Sequence, residues 1–388
     1  MDFDLVVVGG GLVGASLALA LETAGLNLAL IEAQPPQPGA GAADWDSRVY
    51  AISPGSAAFL ERCGVWQELD MTRVSQVEAM CVFGDDGRSE LDFSAYDAGL
   101  RELAFIVENR ELQRVLWAAL KRAQHVAVMA PAACRALTFE AQAAQLELGD
   151  GRVLCPRLVV GADGADSWVR AQTAIAVEMH HYHQTAVVAN FAITRPHRGT
   201  AYQWFRHDGV LALLPLPGER VSMVWSTRDE DAARLLELAS EELVAQVAAA
   251  SHGAVGDLQL ITPAAAFPLR LQRVRQLVLP RLALVGDAAH NVHPLAGQGV
   301  NLGFRDARGL AQVLMERGSQ ADCGDYRLLR RYERARREDI VAMQFATDSL
   351  QRLFNNEITW LASLRNCGLR LMNRQPQLKN LLVQRAVG

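Results

Sequence analysis

The residues best suited to chemistry lie at 284–306, in the stretch Leu-Val-Gly-Asp-Ala-Ala-His-Asn-Val-His-Pro-Leu-Ala-Gly-Gln-Gly-Val-Asn-Leu-Gly-Phe-Arg-Asp. Residues 282–285 carry nothing polar and read as a buried strand that stops at Gly286-Asp287. A loop with His293-Pro294 follows, then Gly297-Gln298-Gly299, and a helical run from Val300. A strand that ends in a carboxylate and leads to a glycine-flanked helix start turns one acceptor and several free backbone N–H groups toward one ligand. Asp287 can hold the hydroxyls of a sugar or sugar alcohol. The N–H groups can stabilise negative charge developing on a ring, since a helix start carries partial positive charge. The glycines let a flat, bulky group approach closely. This combination suits a flavin better than a metal ion or a covalent nucleophile.

Such a site needs elements to position it, and the chain begins with one. Residues 3–8 read as a buried strand, Gly9-x-Gly11-x-x-Gly14 as a tight turn, residues 12–24 as a helix ended by Gly25, and residues 28–31 as a second strand capped by Glu32. In a βαβ start of this kind the glycines serve the turn, the approach of a pyrophosphate and helix–strand packing. Glu32, about twenty residues after the first glycine, is placed to accept from a ribose 2′-OH. The pattern predicts dinucleotide binding without separating FAD from NAD. Asp46-x-Arg48 follows a Pro/Gly/Ala-rich loop. Asn109 reads as the N-cap of a further helix, on which Arg110 and Gln113 share a face. A third string, Asp163-Gly164-Ala-Asp-Ser167-Trp-Val-Arg170, closes a buried strand at 158–161. From the residues alone, Arg48 is equally an ordinary surface arginine, Arg110 and Gln113 are equally a solvated helix start, and Arg170 either holds its loop or touches a phosphate.

Gly286-Asp287 followed by His293-Pro-Leu-Ala-Gly-Gln-Gly-Val-Asn-Leu-Gly-Phe-Arg-Asp306 resembles the signature of the ubiquinone-biosynthesis hydroxylases, a family of FAD-dependent aromatic-ring monooxygenases. The fingerprint and the Asp163-Gly164 string match its other two motifs, so the resemblance covers most of the chain. It implies a bound FAD, NAD(P)H as transient reductant and O2 as co-substrate, with oxygen transferred through a flavin C4a-hydroperoxide. It places Arg48 near the cofactor's ribose and phosphates, Arg110 and Gln113 against the flavin side chain, and Asp163 where FAD and the passing nicotinamide nucleotide both reach. Glu32 would hold the ribose and Asp287 the ribityl or adjacent hydroxyls. The backbone of Gly297, Gln298, Gly299, Val300 and Asn301 would face the N1/C2=O end of the isoalloxazine. Pro294 would lie along the ring edge where oxygen reacts. His293, the nearest titratable side chain with an ordinary pKa of about 6.5, would transfer a proton or hold the loop. The implied substrate is a polyprenyl phenol or quinone precursor. A hydroxylase of a small soluble phenol, or a flavin-binding subunit without turnover in a biosynthetic assembly, are the alternatives.

Composition excludes other classes. A net charge of −5 gives no footprint for nucleic acid. Lys121 and Lys379 are the only lysines, which disfavours Schiff-base chemistry. Six scattered cysteines without a C-x-x-C give no dithiol centre, and free thiols in a reducing compartment are expected. The missing C-x-x-C and the lack of a second G-x-G-x-x-G also disfavour a two-nucleotide flavin reductase. The charge-free run at 5–21 is preceded by Asp2 and Asp4 and interrupted by four glycines, unlike a signal or membrane span. The expectation is a cytoplasmic protein, or one peripheral on the inner face of the membrane.

The fold expected is α/β: a Rossmann-like FAD-binding domain of the para-hydroxybenzoate-hydroxylase kind, an interleaved antiparallel β-sheet substrate domain and a helical C-terminus. The corresponding boundaries are 1–71, 99–178 and 275–325; 72–98 and 179–274; and 326–388. Short β-rich segments with no crossover helix between 185 and 227 carry the antiparallel assignment. Val187, Trp204, Leu211, Leu213, Trp225 and Phe267 form either a substrate-lining face or a plain core. Residues 231–250 read as one amphipathic helix. His181 and His183 would share a strand face, but no acidic or thiol partner has matching spacing for a metal, and polar residues at a domain crossover are the better reading. Residues 326–388 hold twelve Arg and Lys against five Asp and Glu, a net of +7 that leaves −12 for the rest. With Phe345, Leu350, Leu353, Phe354, Ile358 and Leu361 at helical spacing, this tail suits an anionic membrane, partner proteins of ubiquinone biosynthesis, or a helical cap.

Overall fold

A computed structural model of the chain describes residues 2–36, 44–86, 89–291, 298–318 and 321–354, with Asn373, Gln375, Lys379, Asn380, Val383 and Gln384. Continuous apolar runs without alternation belong in strands covered on both faces. The strands Asp2–Val8, Leu28–Ile31 and Val153–Gly161 are of this type, and Leu5, Val6, Val7, Leu28 and Val159 are buried. They form a parallel sheet with Asp2–Val8 at its centre. Leu28–Ile31 and then Val126–Met129 lie on one side, Val153–Gly161 and then Leu282–Leu284 on the other. Val278–Leu279 closes the edge antiparallel. The helix Leu12–Ala20 crosses over between the first two strands and is buried along most of its length.

The register of this sheet decides the position of the motifs. Val8 stands opposite both Ile31 and Gly161, and Gly161 stands opposite Leu284. The residues that follow these strand ends are Gly9, Glu32, Ala162-Asp163 and Gly286-Asp287. Parallel strands of one register must release all four turns along the same edge, which is where open α/β sheets bind ligands.

A second sheet runs in the order His290–Asn291, Ala265–Val274, Val177–Ile193, Arg220–Arg228, Gly209–Leu216, Thr200–Arg206, Ala79–Phe83 and Glu90–Ser94, with Leu258–Leu260 added to Val177–Ile193. It is antiparallel as expected except at one junction, where Thr200–Arg206 and Ala79–Phe83 run parallel. Its outermost strand, His290–Asn291, comes from the Gly286-Asp287 segment itself. The two sheets are therefore joined at the site. A small third sheet pairs Val49–Ile52 and Ser75–Val77 with Ala104–Glu108.

The apolar-face expectation resolves residue by residue. Val187, Trp204, Leu211, Leu213 and Trp225 share one face and form a core with Ala232, Leu235, Leu243 and Val247 of two helices. They are thus core and not a pocket lining. Phe267 stands opposite Ala186 and so lies on the other face. The single helix expected over 231–250 is two, Asp229–Glu237 and Ser240–Ala250, because extended Leu238 and Ala239 separate them and Glu242 accepts the Ala239 N–H at 3.2 Å. His181 and His183 are both exposed, on either side of buried Tyr182. A bulge between His181 and Gln184 shifts the register, with His183 at φ +53°.

Past the site, the helices Gln298–Met315 and Tyr326–Phe354 pack on the parallel sheet, burying Leu310, Leu314, Leu329 and Tyr332. Val341 and Phe345 of the second are exposed. Residues 358 and 361 of the expected apolar tail lie outside the described residues, as do the side chains of 350, 353 and 354.

Candidate functional site

At the opening turn the three fingerprint glycines have separable reasons. Gly9 has φ +106°, and a Cβ there would meet the Ala162 carbonyl oxygen at 2.4 Å. A Cβ at Gly14 would meet the Gly9 carbonyl oxygen at 2.0 Å, so this glycine lets helix and turn touch. Gly11 is different. A Cβ on it would meet nothing within 4 Å, and it precedes a helix whose start has no side-chain cap. Free N–H groups beside open space make an anion cradle. The turn is held from behind: Glu32 Oε2 accepts the Gly10 N–H at 2.6 Å, and Trp117 Nε1 donates to the Gly10 carbonyl at 3.0 Å. Glu32 Oε1 accepts the Gln34 N–H at 2.7 Å.

At the second motif, Asp163 Oδ1 accepts from Ser167 Oγ at 2.5 Å and Oδ2 from the Val169 N–H at 2.9 Å, so this carboxylate shapes its own loop. Buried Arg170 donates to the Ala165 and Ala288 carbonyls, both at 2.8 Å. It holds the loop and binds the second motif to the third.

The third motif turns at Gly286, φ +60°. Asp287 follows, exposed to water, and among the described residues no hydrogen bond to its carboxylate is found. The protein packed around it pushes its carboxyl pKa above the ordinary value, against the lowering charges of His290, Arg48 and Arg270. Contact with water moderates that push. Arg48 is exposed, with its guanidinium 5.3 Å from the Tyr50 ring centroid and 5.2 Å from that of Phe267. It thus spans the seam between the small sheet and the second sheet. Burial lifts the Tyr50 hydroxyl to a pKa of about 12.

Arg110 and Gln113 lie half-buried on one face of the helix Asn109–Arg122. Asn109 is not the N-cap. Glu108 holds that position, and the cap hydrogen bond comes from Asp46, whose Oδ2 accepts the Arg110 N–H at 3.0 Å. Asp46 Oδ1 also accepts the Arg48 N–H at 3.0 Å, and its carbonyl accepts from Asn190 Nδ2 at 2.9 Å. Local sequence rules could not find a cap supplied from so far along the chain.

Gln298, Gly299, Val300 and Asn301 form the first turn of the helix Gln298–Met315. The Asn301 side chain is buried, accepting the Ser53 N–H at 2.9 Å and donating to the Ala51 carbonyl at 2.8 Å. Gln298 Oε1 is buried without a hydrogen-bond partner among the described residues. His293, Pro294 and Gly297 lie outside the described residues. The sequence reading missed Asp46, Trp117 and Gln272, whose Nε2 donates to the Asp287 carbonyl at 3.1 Å. It also missed buried His290, Asp306 and Arg336 behind the third motif. Only His290 and Asp306, inside the signature stretch, carried a signal.

The comparisons with known proteins agree with this geometry. An FAD binding domain family matches residues 2–347. Ubiquinone hydroxylase UbiL of Rhodospirillum rubrum is 36% identical over 387 residues, which span 99% of this chain and 89% of that protein. The 3-demethoxyubiquinol 3-hydroxylase of Escherichia coli is 35% identical, over 99% of this chain and 98% of the relative. The chain belongs to the FAD-dependent monooxygenase family of ubiquinone biosynthesis. Human COQ6, a mitochondrial ubiquinone biosynthesis monooxygenase, is 32% identical over 98% of this chain and 92% of its own length. Among solved structures, Pseudomonas aeruginosa PqsL, a probable FAD-dependent monooxygenase, superposes with a TM-score of 0.78 over 95% of this chain and 99% of its own, at 24% identity, and shares the fold.

As a member of this family the protein is an FAD-dependent aromatic hydroxylase, a class for which NAD(P)H and O2 are typical. Its residues fit the cofactor on independent grounds: the open cradle at Gly11 and, among the described residues, the Asp287 carboxylate and the buried Gln298 Oε1, neither with a hydrogen-bond partner.

Proposed function

We propose that this protein hydroxylates the aromatic ring of a polyprenyl phenol on the route to ubiquinone. The observation that supports this most is the alignment of the Gly9, Glu32, Asp163 and Asp287 turns along one sheet edge, in a chain whose relatives carry ubiquinone-pathway names. When bound, FAD supplies the oxygen activation and transfer, after reduction by a nicotinamide nucleotide.

The chain's own residues bind, orient and exclude water. The first helix turn behind Gly11 would take the pyrophosphate, with Arg48 as a cation to hold the cofactor's ribose and phosphates. Glu32 would accept from the adenosine ribose through lone pairs that its hydrogen bonds to the Gly10 and Gln34 N–H groups leave open. Asp287 would accept from the flavin side chain, with Arg110 and Gln113 as further groups to hold it, while Asp163 keeps the shape of its own loop. Backbone N–H groups of the helix start at 298–301 would face the flavin's polar edge, and the signature assigns His293 and Pro294, outside the described residues, to the reacting side. Phe267 and Tyr50, held together by Arg48, give the seam an aromatic wall against which a phenolic ring can stack.

A prenylated substrate resides in lipid, so the protein must work at a membrane surface or receive its substrate from partner proteins. No described helix is long and apolar enough to cross a membrane. The net +7 of residues 326–388 and exposed Val341 and Phe345 suit a peripheral contact with anionic lipid or with other proteins of the pathway. Deletion of the gene followed by lipid extraction tests the reading. A polyprenyl phenol lacking one ring hydroxyl should accumulate, and its structure names the position. An unchanged ubiquinone pool with no such precursor would contradict it.

A further inference from the structure

We propose that Asp306 and His290 are positioning residues that set the Gly286-Asp287 turn for FAD, and that Arg336 fixes this turn to the C-terminal helix. The inference rests on the FAD reading above and extends it to residues that do not touch the cofactor.

Asp306 is a hub. Its Oδ2 accepts the Gly286 N–H at 3.0 Å and faces His290 Nε2 at 2.5 Å, so one oxygen pins both ends of the segment that carries Asp287. Its Oδ1 accepts from Arg336 Nε at 2.8 Å, across to the helix Tyr326–Phe354. The carbonyls between are held too, Asp287 by Gln272 and Ala288 by Arg170, and the Ala289 N–H returns to the Gly286 carbonyl at 2.8 Å. Backbone constrained from every side leaves the Asp287 carboxylate as the group of this turn that can meet a ligand.

The cost of this arrangement supports a positioning role. Asp306 is 0% exposed, His290 2% and Arg336 5%. Buried ion pairs of this kind stabilise little relative to apolar packing, because desolvation offsets the attraction, whereas they define a geometry sharply. Arg336 also leaves Nη2 buried without a partner among the described residues. Its Nη1 reaches Asp339 at 2.5 Å. The other charged or titratable groups around the hub are Asp287, Arg273 opposite His290 in the second sheet, Arg305 and Tyr332. None of them replaces Asp306 as an acceptor for the Gly286 N–H.

The test titrates full-length apoprotein with FAD, reading flavin fluorescence and the visible absorption of the bound flavin, alongside thermal melting. His290→Leu and Arg336→Met should each weaken FAD binding about tenfold or more and shift the bound flavin's absorption bands. His290→Gln, which keeps a donor toward Asp306, should restore most of the affinity. Leu243→Ala, which opens the core on the far face of the second sheet, serves as a destabilised control and should bind FAD like the wild type. Wild-type affinity and spectrum in both His290→Leu and Arg336→Met would overturn the proposal while leaving the FAD reading intact. An equal affinity loss in Leu243→Ala would overturn it as well, by reducing the network to general stability. Failure of the wild-type apoprotein to bind FAD would overturn both.

Discussion

Gly11→Asp should abolish tight FAD binding while leaving the folded protein as stable as before. Gly11 has φ −66° and ψ −175°, which any residue adopts, and its Cβ would point into open space. Aspartate is also among the preferred residues at a helix N-cap, where its carboxylate satisfies a free N–H and favours the helix dipole. The melting temperature should therefore hold or rise slightly. The same carboxylate would sit where the pyrophosphate must approach. Like charges brought together cost several kcal/mol, or about a hundredfold and more in affinity. Gly14→Ala gives the contrast. Its Cβ would lie 2.0 Å from the Gly9 carbonyl oxygen, so helix and turn must separate. Overpacking of that kind costs about 1–3 kcal/mol and moves the cradle, so stability and FAD affinity should fall together. Thermal melting of the apoprotein and fluorescence titration with FAD separate the two outcomes. Tight FAD binding by Gly11→Asp would show that this helix start does not receive the pyrophosphate.

Asp287→Asn should lower FAD affinity about tenfold to a hundredfold, the worth of a hydrogen bond to a charged acceptor. The apoprotein should not lose stability. Surrounding protein raises the Asp287 carboxyl above its ordinary value, so the folded state disfavours the charge. For a carboxyl raised on folding, stability is full below the unfolded value of about 4 and is lost as pH rises toward the folded one. The asparagine variant is spared that loss. The two apoproteins should melt alike in acid, and the variant should melt no lower at neutral pH. The charge is kept for the ligand rather than for the fold. A variant that binds FAD as tightly as the wild type would remove Asp287 from the site.

Asp306 behaves in the opposite sense. Burial alone would raise its carboxyl, but the charges and hydrogen bonds of His290 and Arg336 more than reverse this and hold it below the ordinary value. Two aspartates within one signature thus have separate tasks, one charged to set the geometry of the turn and the other left open to a ligand.

Residues whose meaning is local were legible from the sequence. The Gly9-x-Gly11-x-x-Gly14 turn, Glu32 and Gly286-Asp287 each end a strand, and strand–turn–helix patterns are written in consecutive residues. Parallel pairing then carries them to one edge. What escaped the sequence depends on contacts between distant segments. Asp46 caps the helix Asn109–Arg122 from 64 positions away, so the local rule chose Asn109 instead. A period of two assigned Val187, Leu211, Leu213 and Trp225 to one side of a sheet, but did not say whether helices or the cofactor side would cover it. The bulge between His181 and Gln184 arises from pairing with Ala265–Val274, which no local pattern specifies. The Arg336 link to Asp306 joins two helices whose packing no periodicity specifies.

The most direct measurement supplies FAD-reconstituted protein with a nicotinamide reductant, a polyprenyl phenol and isotopically labelled dioxygen, and follows the product by mass spectrometry. The account predicts one labelled oxygen atom in a new ring hydroxyl, formed only in the presence of FAD. Protein that consumes the reductant and oxygen yet returns the phenol unlabelled would contradict it.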